Sequence, residues 1–227
     1  MKYSITGDNL QLLNIELMPN EKVYSEAGSM VFMSGNVVME ARAKGGLMAG
    51  LKRKMTGESF FVTEFFASSG AGLISFGGPM PGKIRAIDLN AGGTWLLQKD
   101  AFLCAENSVQ MDIAFQRKLG ATFFGGEGFI LQQLSGSGTA FISATGDLIE
   151  MDLQPGQVLK ISTGNVVGWQ STVTYDIQAV GGIKTAFFGG EGLFVTTLTG
   201  PGKVLLQSMT ASKLAMSIHP FLPKDNR

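Results

Sequence analysis

The chain has 227 residues, with 18 basic and 18 acidic side chains, so its formal net charge is zero. Hydrophobic residues make up 44% and charged residues 16%, against about 25% charged in an ordinary globular domain. These figures exclude a disordered chain, a disulfide scaffold (Cys104 is the single cysteine) and a protein built to neutralise nucleic-acid phosphates.

The opening residues, Met1-Lys2-Tyr3-Ser4-Ile5-Thr6, are polar and β-like. No charged segment leads into an apolar one, so no secretory signal is expected. No apolar run approaches the about 20 residues that span a bilayer. Ile15-Glu16-Leu17-Met18-Pro19-Asn20 is the divergent first member of a series. It returns as Ile87-Asp88-Leu89-Asn90-Ala91-Gly92 and, 64 residues later, as Met151-Asp152-Leu153-Gln154-Pro155-Gly156.

The most basic stretch follows, with Lys44, Lys52, Arg53 and Lys54. Leu47, Met48, Leu51 and Met55 share one helical face, which predicts a short amphipathic helix near 46–55 inserted in the first repeat. Such a segment suits an anionic ligand or a peripheral membrane surface; the plainer reading is a helix packed on a sheet with solvated lysines. It is not a phosphate loop, because Leu51 intervenes before Lys52 and Arg53 stands where the hydroxyl belongs.

Gly57-Glu58-Ser59-Phe60-Phe61 begins a second series. The stretch from Phe123-Phe124-Gly125-Gly126-Glu127-Gly128 to Gly138 recurs 64 residues later, from Phe187-Phe188-Gly189-Gly190-Glu191-Gly192 to Gly202, with nine of sixteen positions identical. The chain therefore reads as three units, 1–82, 83–146 and 147–208, followed by a tail at 209–227. Within the third unit, Leu148–Leu153, Val158–Ile161, Val166–Trp169 and Val173–Ile177 are short runs bounded by turn residues. Strands at this spacing predict an all-β sandwich or barrel, and no helical pattern alternates with them as a parallel α/β sheet requires. Three such units can close into a pseudo-threefold ring, which hides strand edges. At the end, Thr210 is placed to cap a short helix near 210–218, stopped by Pro220.

Catalytic signatures are sparse. His219 is the only histidine, so neither a zinc site nor a serine triad can be assembled in the usual way. It reads as a helix C-terminal residue. Cys104 has apolar neighbours and reads as a buried, inert thiol with a raised pKa. Phe60, Phe61, Phe65 and Phe66 read as core, with no interleaved arginines to make them a stacking platform. Glu58, Glu127 and Glu191 hold equivalent places in three glycine turns. Converged on an axis, they would form a site for a metal or small molecule; as separate groups, each pins its own turn through backbone N–H groups.

The Gly-Glu-Ser-Phe-Phe at 57–61, the twice-used Gly-Gly-Glu-Gly, the Gly-Gly-Leu insert at 45–53 and Thr-Gly-Pro-Gly-Lys-Val at 199–204 carry a resemblance over essentially the whole chain. It resembles the bacterial and archaeal family related to the altered-inheritance-of-mitochondria proteins of fungi. That resemblance implies three β-sandwich units similar to the trp RNA-binding attenuation protein (TRAP-like), arranged in a circle. It implies a homo-oligomer, with a trimer among the options, and brings no catalytic residue, cofactor or metal. The expectation is a non-enzymatic, self-associating scaffold or interaction module in the cytoplasm, with no nucleic-acid partner.

Overall fold

The computed structural model describes residues 1–43, 61–117, 129–179 and 194–223. The fold is all-β, with nineteen strands among the described residues and one short α-helix. After β1 (Lys2–Thr6), the strands fall into three successive sets of six. The first set is β2 (Leu12–Leu17), β3 (Lys22–Glu26), β4 (Met30–Met33), β5 (Val37–Ala43), β6 (Phe61–Ala67) and β7 (Gly72–Gly77). The second is β8 (Gly82–Asp88), β9 (Trp95–Gln98), β10 (Phe102–Glu106), β11 (Val109–Arg117), β12 (Phe129–Gly136) and β13 (Thr139–Thr145). The third is β14 (Leu148–Leu153), β15 (Val158–Ser162), β16 (Val166–Gln170), β17 (Thr174–Ala179), β18 (Phe194–Thr199) and β19 (Gly202–Gln207). Helix α1 (Ala211–Ile218) follows.

Pairing is antiparallel and follows one scheme in each set. The sixth strand lies between the first and the third, as β7 does between β2 and β4, β13 between β8 and β10, and β19 between β14 and β16. The fifth lies between the second and the fourth: β6 between β3 and β5, β12 between β9 and β11, β18 between β15 and β17. In each set the register slips just after the first residue of the third strand, between Met30 and Phe32, Phe102 and Cys104, and Val166 and Gly168. A bulge there adds local twist and bends the strand.

Successive sets are joined edge to edge. β3 pairs with β10 through Ser25, Tyr24 and Val23 opposite Cys104, Ala105 and Glu106. β9 pairs with β16 through Leu97, Leu96 and Trp95 opposite Gly168, Trp169 and Gln170. These junctions fuse half-sheets into two six-stranded sheets, β5-β6-β3-β10-β13-β8 and β11-β12-β9-β16-β19-β14. A four-stranded sheet, β1-β2-β7-β4, and a three-stranded sheet, β15-β18-β17, complete the sheets among the described residues. Among the described residues β4 and β15, the strands that would make a third junction of the same kind, are both sheet edges.

The sequence pattern explains the packing. In β2, Leu13, Ile15 and Leu17 are buried while Leu12, Asn14 and Glu16 are half-exposed, the period-two signature of a strand with one wet face. In β13, five successive residues are buried, as expected for a strand with a neighbour on each side and cover on both faces. Buried apolar residues form three clusters. One gathers Leu13, Ile15, Phe65 and Phe76 of the first set with Phe141. Another gathers Leu97, Phe102, Leu134 and Ile142 of the second set with Tyr24, and the last gathers Trp169, Val173, Leu198 and Val204 of the third set with Phe129. Tyr24 ties two sets together: it stacks on Phe102 at 5.6 Å between centroids, and its hydroxyl donates to the Val109 carbonyl at 3.2 Å.

Candidate functional site

The second strand of each set ends in a turn that leads to the third, and the three turns converge. The first is Glu26–Ser29, with Gly28 at φ +91°, a conformation glycine adopts without steric cost. The other two are 3₁₀ turns, Lys99–Ala101 and Thr163–Asn165. Together they border a cavity of about 660 Å³, in the size range of small-molecule sites. Glu26, Gln98 and Ser162, the last residues of β3, β9 and β15, all line it. So do the ends of β7, β13 and β19, at Gly77, Ser143–Thr145 and Gln207, together with the cap Thr210 and Ala211, Ser212, Lys213 and Met216 of α1.

A hydrogen-bond frame holds these turns. Gln132 Nε2 donates to Glu26 Oε1 at 2.9 Å, from β12 of the second set to β3 of the first. Gln98 Nε2 donates to Asp100 Oδ2 at 3.1 Å within its own turn. The hydroxyls of Thr163 and Thr196 meet at 3.0 Å, fully buried. Gln207 receives the Thr145 N–H at 2.9 Å and donates to the Gly164 carbonyl at 2.8 Å, bridging the second and third sets. The lining therefore mixes amide, hydroxyl, carboxylate and ammonium groups with apolar side chains, among them Met80, Phe102, Leu103 and Met216.

The residues singled out by sequence lie elsewhere. Lys44, Lys52, Arg53, Lys54, Glu58, Glu127 and Glu191 fall outside the described residues, as do the helix expected near 46–55 and Phe60. Cys104 is fully buried in β10, and desolvation pushes its thiol well above the ordinary value. His219 is the C-cap of α1, its backbone N–H donating to the Ala215 carbonyl, and Thr210 Oγ1 accepts from the Lys213 N–H at the other end. Phe65 is core; Phe66 is half-exposed, with the Lys22 ammonium 4.8 Å from its ring centroid. Among the described residues no group of three or more His, Cys, Asp or Glu side chains is placed to hold a metal ion. No helix there is long and apolar enough to cross a membrane.

The cavity escaped sequence analysis because its three key positions repeat in place and not in residue type. Glu26, Gln98 and Ser162 share no chemistry, so alignment of the repeats gives them no weight.

The profile of a family described as mitochondrial biogenesis AIM24 matches residues 3–209. The chain belongs to the AIM24 family. An uncharacterised protein of Streptococcus pyogenes is 30% identical over 220 residues, covering 93% of this chain and 87% of that protein. The crystal structure of another Streptococcus pyogenes protein superimposes with a TM-score of 0.81 at 28% identity, covering 97% of this chain and 99% of its own. The AIM24-family match thus extends over the strands that lead into all three junction turns and stops short of the cavity residues Thr210 to Met216.

Proposed function

We propose that this AIM24-family chain is a non-enzymatic, self-associating scaffold or interaction module of the cytoplasm, assembling as a trimer. We further propose that its units are TRAP-like sandwiches set about a pseudo-threefold axis. The observation that carries the self-association is the apolar surface at the C-terminal helix. Phe221 is 85% exposed, and Met216, Ile218 and Leu222 beside it are each about half exposed. Four large apolar side chains within seven residues are a costly surface for a monomer, since each buried apolar Å² contributes about 25 cal/mol. Strand β4, an edge of its sheet among the described residues, adds Val31 and Phe32, both exposed. A chain of only 16% charged residues has little with which to keep such surfaces apart.

Two facts support a role without chemistry. The sole cysteine is sealed in a core and held as the neutral thiol, and the sole histidine serves as a helix cap. A free buried thiol also suits a reducing compartment. Sedimentation velocity over a range of concentrations tests the proposal. Wild type is expected to sediment as a trimer, and the double variant Phe221→Ser/Leu222→Ser as a monomer with an unchanged circular dichroism spectrum. A wild type that stays monomeric at high concentration, or an assembly indifferent to the double substitution, refutes it.

A further inference from the structure

The apolar tail has a counterpart where the first set of strands meets the second. A hollow of about 170 Å³ beside β4 is lined by Leu10, Leu12, Val31, Met80 and Ile84. Roughly 150 Å³ of apolar space takes up a benzene ring, so this hollow accommodates one aromatic side chain. A glycine in the lining keeps it open: a Cβ on Gly77 would stand 3.2 Å from Val31 Cγ2 and 3.3 Å from Leu12 Cδ2. Leu10 is 72% exposed, and among the described large apolar side chains only Phe221, at 85%, is more so. The fold of one chain therefore leaves both surfaces uncovered. Lys83 also lines the hollow and pairs with Asp8 at 2.6 Å, which sets a charged border beside an apolar centre, as in protein interfaces.

Phe221 has the form of a knob. It ends a 3₁₀ turn, His219–Phe221, in which Pro220 fixes one backbone torsion, so little freedom is lost when its side chain is gripped. We infer that Phe221 of one copy, with Leu222 beside it, docks in the hollow formed by Leu10, Val31 and Met80 of the next copy. This rests on the self-association proposed above and names its two faces. A tail-to-tail contact is isologous and stops at two copies. Tail-to-hollow contacts are heterologous and close into a ring, as a trimer requires. A few side chains that fill a desolvated pocket dominate such a contact, so two substitutions on either face suffice to break it.

Sedimentation velocity of the full chain tests both faces. Leu10→Asp/Val31→Asp, at exposed positions, is expected to be monomeric with an unchanged circular dichroism spectrum, as is Phe221→Ser/Leu222→Ser. Mixed in equal amounts at high concentration, the two variants are expected to form a dimer and nothing larger, because one supplies the intact tail and the other the intact hollow. As a separate readout, a chain carrying Leu10→Cys and Leu222→Cys is expected to run as covalent oligomers on a denaturing gel after oxidation with diamide. Leu222→Cys alone is expected to run as a monomer. A hollow variant that assembles like wild type, a mixture that stays monomeric, or a covalent dimer from Leu222→Cys alone overturns this inference and leaves self-association standing. A monomeric wild type overturns self-association itself, and this inference with it.

Discussion

Gln132 reaches back across 106 positions of the chain to give its Nε2 hydrogen to Glu26 Oε1 at 2.9 Å. Gln132 is fully buried on β12, between β11 and β9, and Glu26, the last residue of β3, lines the cavity. A neutral amide donating to a carboxylate is among the stronger polar contacts available to a protein interior. The two residues therefore fix the first set of strands against the second at the point where the turns converge.

That contact is measurable by a double-mutant cycle. Gln132→Ala removes the donor and opens a buried cavity, and is expected to cost about 2–3 kcal/mol in urea unfolding. Glu26→Ala alone is expected to cost less, since Glu26 is half-exposed. The coupling between them is expected at about 1–2 kcal/mol, in the range of hydrogen bonds to charged groups. Simple additivity of the two substitutions would show that the bond contributes nothing.

The junction between the second and third sets depends on a missing side chain. Gly168 lies opposite Leu97, and a Cβ there would sit 2.6 Å from the Leu96 carbonyl oxygen and collide with the Leu97 side chain. Backbone on the far side cannot step aside without loosening β9 from β16. Gly168→Ala is therefore expected to destabilise by about 2 kcal/mol, as overpacked cores do. A thermal melt indistinguishable from wild type would mean that the two strands separate at little cost.

A surface network links the first strands of two sets. Glu150 on β14 accepts from Lys203 on β19 and from Arg85 on β8, the latter at 3.0 Å. The Lys203 hydrogen bond, helped by both positive charges, holds the Glu150 carboxyl below the ordinary 4.5, and partial burial opposes the shift only in part. A carboxyl depressed in the folded state contributes stability above its unfolded value and loses it as pH falls through the folded one. Wild type is thus expected to exceed Glu150→Gln in stability at neutral pH, with the difference vanishing as pH drops below 4.5 and shrinking in high salt. A difference that persists at acid pH would assign the effect of the substitution to packing.

Much of this fold is legible in the residues. The runs read at 148–153, 158–161 and 166–169 are β14, β15 and β16, and Thr210 caps the predicted C-terminal helix. Cys104 is the buried thiol that its apolar neighbours foretold. These are local properties: alternation, turn residues and capping act over a few positions, so a linear sequence displays them. The helix shows the limit, because its position was legible while the exposure of Met216 and Ile218 on it was not.

The amino-acid sequence by itself determined strands, turns, cap and the recurrence of a motif at 64-residue spacing, because each follows from backbone sterics and side-chain polarity close along the chain. Only the tertiary structure decided that Glu26, Gln98 and Ser162 border one cavity, that Gln132 holds Glu26, and that β4 and β15 are left as edges. Those relationships join residues 64 to 136 positions apart, and they arise from which strand edges pair between sets, a choice that no local pattern encodes.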